Sequence, residues 1–155
     1  MAALAQAGGV TTGALYKHFD SKSDLFASIL AAELHRSAEH YAHIAPHDQI
    51  GARKALAAYL SMQHVAHPET GCPLPALTPE VARTETSVRA VFAQGIAEIH
   101  ANVEKLTGSA DNAWALIAQN VGAVMLARAL SDEQMQCDLL CALRRSGERL
   151  LDQLT

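Results

Sequence analysis

Hydroxyl, aromatic and basic residues near the amino end have the chemistry needed to contact a nucleic acid. Thr11 or Thr12 can cap a helix, because a side-chain oxygen there satisfies an amide of the first turn. Leu15 and Phe19 lie on one face of that helix, which leaves the polar residues on the outer side. Two glycines separate this run from residues 1–7, which are predicted to form another helix. This pattern is typical of a helix-turn-helix DNA-binding segment.

The polar residues of this segment suit two kinds of contact. Phosphate contacts fix the register of a protein on DNA, and contacts to base edges in the major groove distinguish sequences. The residues expected to contact phosphates are Thr11, Tyr16 and Lys22. The residues expected to face base edges are Thr12, Gly13 and Lys17, and His18 suits either set. The alternative is a capped surface helix whose tyrosine and lysine are only solvated.

Residues 4–25 resemble the DNA-binding segment of the tetracycline-repressor-like (TetR) family of transcriptional regulators. The residues that carry the resemblance are Leu4-Ala5, Gly9-Val10-Thr11, Gly13-Ala14-Leu15-Tyr16-Lys17-His18-Phe19 and Ser21-Lys22. Family members usually carry a whole helix before the first one seen here, and Gly8 stands where the family usually has alanine. We therefore expect a truncated helix-turn-helix head over residues 1–30 that binds operator DNA weakly or not at all.

Composition favours a helical protein. The chain has 155 residues, of which 50% are hydrophobic and only 5% aromatic, so alanine and aliphatic residues must build the core. The net charge of −4 does not exclude a local DNA contact, because binding depends on where the positive charges lie. Three cysteines without a framework spacing suit a reducing cytoplasm. We find no signal peptide and no run of the roughly 18 apolar residues that a membrane span needs.

A helical body is predicted over residues 31–155. Ser21 and Asp24 have capping-box spacing and open a long helix that joins the head to the body. Later helices are expected over residues 48–67, 74–83 and 84–106, the last ending at Gly108. Two more are expected to begin at Ser109 and Ser131. The predicted fold class is all-α, a truncated helix-turn-helix head followed by a TetR-type effector-binding and dimerisation domain.

The last two helices carry more apolar surface than a small bundle covers, and a glycine within the seam indicates a close helix approach. The resemblance implies that this pair forms a four-helix dimer interface. The predicted interface residues are Val121, Met125, Leu140, Leu143, Gly147, Leu150 and Leu154. The alternative is a core stripe within one chain.

The resemblance also implies a cavity for a small-molecule effector among the body helices. Aromatic and flexible apolar groups with a few polar ones suit an organic ligand. The residues nominated for this cavity are Tyr59, Met62, Gln63, Phe92 and Ile96, which otherwise fill the core. No nucleophile elbow, phosphate loop or paired-carboxylate constellation is present, so enzyme function and a cofactor are not expected.

Histidine and cysteine chemistry gives two further possibilities. His40 with His43, and His64 with His67, have the i, i+3 spacing of paired imidazoles, but nothing in the sequence joins the two pairs into a zinc site. No metal site is therefore assigned. Cys72 lies in a Gly-Cys-Pro turn, where exposure would allow it to act as a thiol sensor. Cys137 and Cys141, four residues apart on the last helix, suit small buried groups better than a disulfide.

The function predicted from the sequence is that of a cytoplasmic, homodimeric TetR-family regulator, in first place a repressor, controlled by a small effector. One alternative is a ligand-binding helical dimer that has lost DNA binding. Another is a metal or thiol sensor on the same fold.

Overall fold

The computed structural model describes residue 13 and residues 18–152, and in this part of the chain all regular structure is helical. The all-α prediction is therefore confirmed. The helices are α1 (Lys22–Ala42), α2 (Gln49–Tyr59), α3 (Met62–Ala66), α4 (Leu74–Val81), α5 (Thr86–Thr107), α6 (Ala110–Ala129) and α7 (Glu133–Leu151).

Local sequence signals set most of the helix ends. The Ser21 hydroxyl accepts a hydrogen bond from the Asp24 amide at 3.0 Å, as the capping-box spacing predicted. Asp48 caps α2 in the same way through the Gly51 amide, at 2.9 Å. Gly108 ends α5 with a φ of 67°, the left-handed conformation that glycine adopts without strain.

The predicted boundaries were wrong in two places. The helix expected over residues 48–67 is broken after Tyr59, and Ser61 starts α3 by accepting a hydrogen bond from the His64 amide at 3.2 Å. A hydroxyl beside a helix amide offers the backbone this alternative partner. At the last helix Asp132, not Ser131, is the cap, because its carboxylate accepts from the Met135 amide at 2.8 Å.

Helices α1 and α5 form the most extensive helix pair of the fold. Their close approach depends on Gly95, since a Cβ atom placed there would lie 2.5 Å from Cδ1 and 2.6 Å from Cβ of Leu34. Leu34 is completely buried, as is Leu30 one turn earlier. Asn102 adds a polar link by donating a hydrogen bond to the Ala38 carbonyl at 3.1 Å. This packing fixes α1 along the body.

The remaining helices complete the core on the other side of α5. Helix α6 packs on α5 and α7, and the short helices α3 and α4 lie against α6. Helix α2 packs on α7, where a Cβ at Gly147 would lie 2.9 Å from the end of the Leu56 side chain. The glycine in α7 therefore serves a close helix approach within one chain. In the described residues no helix has the length and apolar character needed to cross a bilayer.

We predict that Gly95→Ala destabilises the protein by about 1–3 kcal/mol, because overpacking at the buried Leu34 outweighs the helix propensity gained from alanine. The measurement is urea unfolding followed by circular dichroism. Gln94→Ala, at the exposed neighbouring position of α5, is the control and is expected to change stability by less than about 0.5 kcal/mol. Equal stability of both variants would contradict a close α1–α5 packing.

Candidate ligand groove and DNA-binding segment

An open groove of about 710 Å³ lies between the carboxyl-terminal half of α1, helices α2 and α3, and the loop before α4. Its α1 wall includes Ser37, His40 and Tyr41. The opposite wall is formed by Tyr59, Gln63 and His64 with the loop residues Thr70, Gly71 and Cys72. Aromatic rings, hydroxyls and imidazoles in one concave surface are typical of a site for a small organic molecule.

His64 holds the groove loop through both ring nitrogens. Nδ1 lies 2.7 Å from the Tyr59 carbonyl oxygen, so it must donate, and Nε2 accepts from the Cys72 amide at 3.1 Å. The imidazole is therefore neutral, with its proton on Nδ1. The Tyr59 ring packs edge-on against His64 at a centroid distance of 4.6 Å. A Cβ at Gly71 would lie 2.3 Å from the imidazole, so the loop needs glycine here.

Two arginines anchor the same region from neighbouring helices. Arg128 of α6 donates to the carbonyls of His64 and Val65, at 2.9 and 3.2 Å, and so satisfies backbone groups of the short helix α3. Arg36 of α1 donates to the Gly71 carbonyl at 3.3 Å. The loop wall of the groove is thus attached to both α1 and α6.

The protonation states follow from burial. Burial lowers the pKa of the His64 imidazole below its ordinary value of 6.5, the hydrogen bond to the Tyr59 carbonyl opposes this, and Arg128 lowers it further. Burial also raises the pKa of the Tyr41 and Tyr59 phenols far above their ordinary value, with Cys72 adding to both shifts. Both phenols keep their protons and can donate hydrogen bonds.

A second, inner cavity of about 20 Å³ adjoins the groove. Tyr41, Tyr59 and Cys72 line both spaces, so they form the boundary between them. The inner cavity extends towards α5 and α6, where Ile99 and Asn120 are among its lining residues. The groove floor therefore reaches the core of the body.

The structure brings together two of the five residues nominated for effector binding. Tyr59 and Gln63 line the groove. Met62, Phe92 and Ile96 are partly buried and pack against the hydrophobic core, outside the lining of either cavity. All five assignments remain predictions as ligand contacts.

Three of the seven residues predicted to contact DNA lie in the described part of the chain. Gly13, His18 and Lys22 are exposed, and Lys22 begins α1. The other four, Thr11, Thr12, Tyr16 and Lys17, lie outside the described residues. Their roles at a duplex stay predictions.

The predicted dimer residues lie on different sides of α6 and α7. Leu140 is only 3% exposed and Gly147 is also buried, so both have little surface left for a partner. Val121, Leu143 and Leu150 pack partly buried against the core, Met125 is exposed, and Leu154 lies outside the described residues. The exposed apolar side chains nearby are Trp114 and Leu126 of α6 and Met135 of α7.

The other histidines and the cysteines do not form a metal centre in the described residues. Within the described residues, no three histidine, cysteine or acidic side chains are grouped closely enough to hold a metal ion. Cys72, Cys137 and Cys141 are free thiols.

Fold and groove together define the class: an all-α protein in which one long helix runs from the amino-terminal segment to the wall of an open groove. Comparison with known families identifies that segment. Residues 1–29 match the family described as bacterial regulatory proteins, tetR family. The predicted resemblance of the amino-terminal segment to the TetR family is therefore confirmed. No curated protein matches the chain.

Sequence reasoning missed several groove residues. Tyr41 of the groove and Asn120 of the inner cavity had no distinguishing neighbours in the sequence, and packing between distant helices brings them together. His64 and Cys72 were noticed as a possible metal ligand and a possible thiol sensor, although the hydrogen bond between them joins residues eight apart. The Gly-Cys-Pro turn after a histidine-rich helix was the available signal.

We predict that acidification weakens the fold through His64. The pKa of His64 is lower in the folded state than in the unfolded state. Its contribution to the free energy of unfolding is therefore complete above about pH 6.5, and it is lost as the pH falls from there through the folded-state pKa. His64→Gln should flatten the dependence of unfolding free energy on pH between about 7.5 and 5. His40→Gln, an exposed imidazole on the same groove, is the control and should retain the dependence on pH. Parallel curves of unfolding free energy against pH for wild type and His64→Gln would contradict a neutral His64 that holds the loop by hydrogen bonds.

Proposed function

We propose that this chain is a TetR-family repressor whose affinity for operator DNA is controlled by a small organic effector bound in the groove. The observation that carries the proposal is the course of α1. Its first residues, 22–29, belong to the segment matched by the family, and its later residues Ser37, His40 and Tyr41 form a wall of the groove. One continuous helix therefore joins the two sites.

The geometry supports a mechanical coupling between the sites. Lys22 and Arg36 are separated by about 21 Å along α1, at 1.5 Å per helical residue. An effector that widens the groove would displace α1 relative to α2 and α3, and a helix transmits such a displacement along its length. The effector then favours a conformation in which the DNA-binding segments are wrongly placed for the operator. We place this activity in the cytoplasm, where a DNA-binding regulator meets its operator.

We predict that DNA binding by this chain depends on the basic residues of its amino-terminal segment. At low salt, Lys17→Ala and Lys22→Ala should each weaken binding of a labelled duplex. Lys22→Ala should also reduce the slope of log K against log salt by about 0.9, because the phosphate contact predicted for Lys22 is lost, whereas Lys17 is predicted to face base edges. Fluorescence anisotropy across a salt series provides the measurement.

The control for this experiment is Lys54→Ala, which removes an exposed lysine from α2. It should leave both affinity and slope unchanged. If all three variants behave alike, the amino-terminal segment is not the DNA contact. That result would favour a ligand-binding protein without DNA binding.

The proposal includes a homodimer that places two DNA-binding segments side by side. The supporting feature is an exposed apolar face on α6, with Leu126 at 59% and Met125 at 37% exposure. Trp114 is 47% exposed on α6, and Met135 adds an exposed apolar side chain at the start of α7. Such a face on a helix pair suits a self-complementary interface between two copies.

We predict that Leu126→Glu converts the dimer to a monomer, because the pairing of two copies would bury a carboxylate without a partner. Light scattering coupled to size-exclusion chromatography measures the mass. Ile50→Glu, which changes an equally apolar residue that is 69% exposed on α2, is the control and should remain dimeric. A monomeric wild type, or a dimeric Leu126→Glu variant, would contradict this interface.

A further inference from the structure

Two polar atoms on residues that line the inner cavity are buried without a hydrogen-bond partner. They are Oδ1 of Asn120 and the Tyr59 hydroxyl; beside the hydroxyl lies the Cys72 thiol, which is only a weak hydrogen-bonding group. The described residues contain four such side-chain atoms, so half of them belong to one cavity of about 20 Å³. Asn120 is only 6% exposed. Unpaired buried polar groups are costly to a fold, and their concentration at one place indicates a partner that is not part of the chain.

The chemistry of the cavity walls limits what that partner can be. Apart from Tyr59 and Asn120, the walls are aliphatic side chains, the phenol of Tyr41 and the thiol of Cys72, and no charged side chain lines them. A carboxylate or an ammonium group would enter without a counter-charge, which is strongly unfavourable. The available volume holds a group of about the size of one water molecule.

The two unpaired atoms require one donor and one acceptor. Asn120 Oδ1 can only accept a hydrogen bond, so the partner must donate to it. The Tyr59 phenol keeps its proton and can donate to an oxygen of the same partner. A hydroxyl group meets both requirements within the size limit. An ether lacks the donor, and an ammonium lacks the acceptor.

We propose that the effector carries an uncharged hydroxyl head group, an alcohol or a phenol, that bonds to Tyr59 and Asn120 in the inner cavity. The rest of the effector lies in the groove, past the boundary formed by Tyr41, Tyr59 and Cys72, where the two tyrosine rings offer it an aromatic contact. This inference rests on the proposed function, because it specifies the ligand class of the proposed effector site. In this proposal Tyr59 and Asn120 are the residues that distinguish neutral ligands from charged ones.

The test measures the affinity of four probes for the whole chain by isothermal titration calorimetry. The probes are phenylbutanol, phenylbutanoate, phenylbutylamine and the methyl ether of phenylbutanol. These probes share one aromatic body and differ at the head. Phenylbutanol should bind at least about tenfold more tightly than the other three. Tyr59→Phe and Asn120→Leu should each weaken phenylbutanol binding by roughly three- to tenfold, the range for one lost hydrogen bond. Gln94→Leu, a change of an amide to leucine at an exposed position of α5 outside both cavities, should not weaken it.

Thermal unfolding of the same variants supplies a second readout. Tyr59→Phe removes an unpaired buried hydroxyl, so it should keep or raise the unfolding temperature while it weakens binding. A lower unfolding temperature with unchanged phenylbutanol affinity would show that an ordered water or a structural role explains these atoms, and would overturn the inference.

The remaining outcomes separate this inference from the proposed function. If the acid, the amine or the ether binds as tightly as the alcohol, the effector is not selected by a hydroxyl group. The same conclusion follows if Tyr59→Phe and Asn120→Leu leave phenylbutanol affinity unchanged. Either result would still be compatible with a ligand site in the groove. If no probe binds at millimolar concentration, the inference fails. The DNA-binding role is then judged by the separate lysine experiment.

Discussion

The close packing of α1 on α5 is the constraint on which the rest of this structure depends. Gly95 brings the two helices together, Leu34 fills the contact, and the Asn102 amide ties the backbone of α1 to α5 further along. Because α1 is one continuous helix packed along α5, its first turns and its last turns belong to a single structural element. A long helix held in this way is suited to the coupling proposed between the amino-terminal segment and the groove.

The groove has a fixed loop wall, and unsatisfied polar groups lie in the inner cavity next to it. His64, Arg36 and Arg128 hold the loop that carries Cys72, and each contributes hydrogen bonds to backbone groups that would otherwise lack a partner. Behind this loop the hydroxyl of Tyr59 and the amide oxygen of Asn120 stay unpaired. A protein selected only for stability would replace such groups with apolar ones of similar volume. Their presence next to the groove is consistent with the ligand site proposed there.

Local patterns predicted much of the fold, because helix caps and breaks depend on neighbouring residues. Ser21, Asp48, Gly108 and Ser109 were recognised as helix ends from their types and spacing, and the structure confirms all four. The break before Ser61 was missed, since residues 48–67 have no proline or glycine where the helix ends. There a hydroxyl competes with the helical backbone, and tertiary packing decides the outcome.

The candidate site was less predictable, because residues distant in sequence form it. Tyr59 and Gln63 were nominated by their chemistry and line the groove, whereas Met62, Phe92 and Ile96 have similar chemistry and pack in the core. Helical periodicity indicates that a residue faces inward but not whether the interior is filled there. In the same way, the apolar repeat of α7 did not distinguish an interface between two chains from contact with α2, which is where Gly147 lies.

The most direct test of the central claim, that α1 connects the groove to the DNA-binding segment, is hydrogen–deuterium exchange with and without phenylbutanol. The account predicts that ligand in the groove changes the exchange rates of amides in residues 22–29, about 21 Å or less from Arg36 along the helix. Changes confined to the groove-lining residues of α1, α2, α3 and the Cys72 loop, with residues 22–29 unaffected, would contradict it.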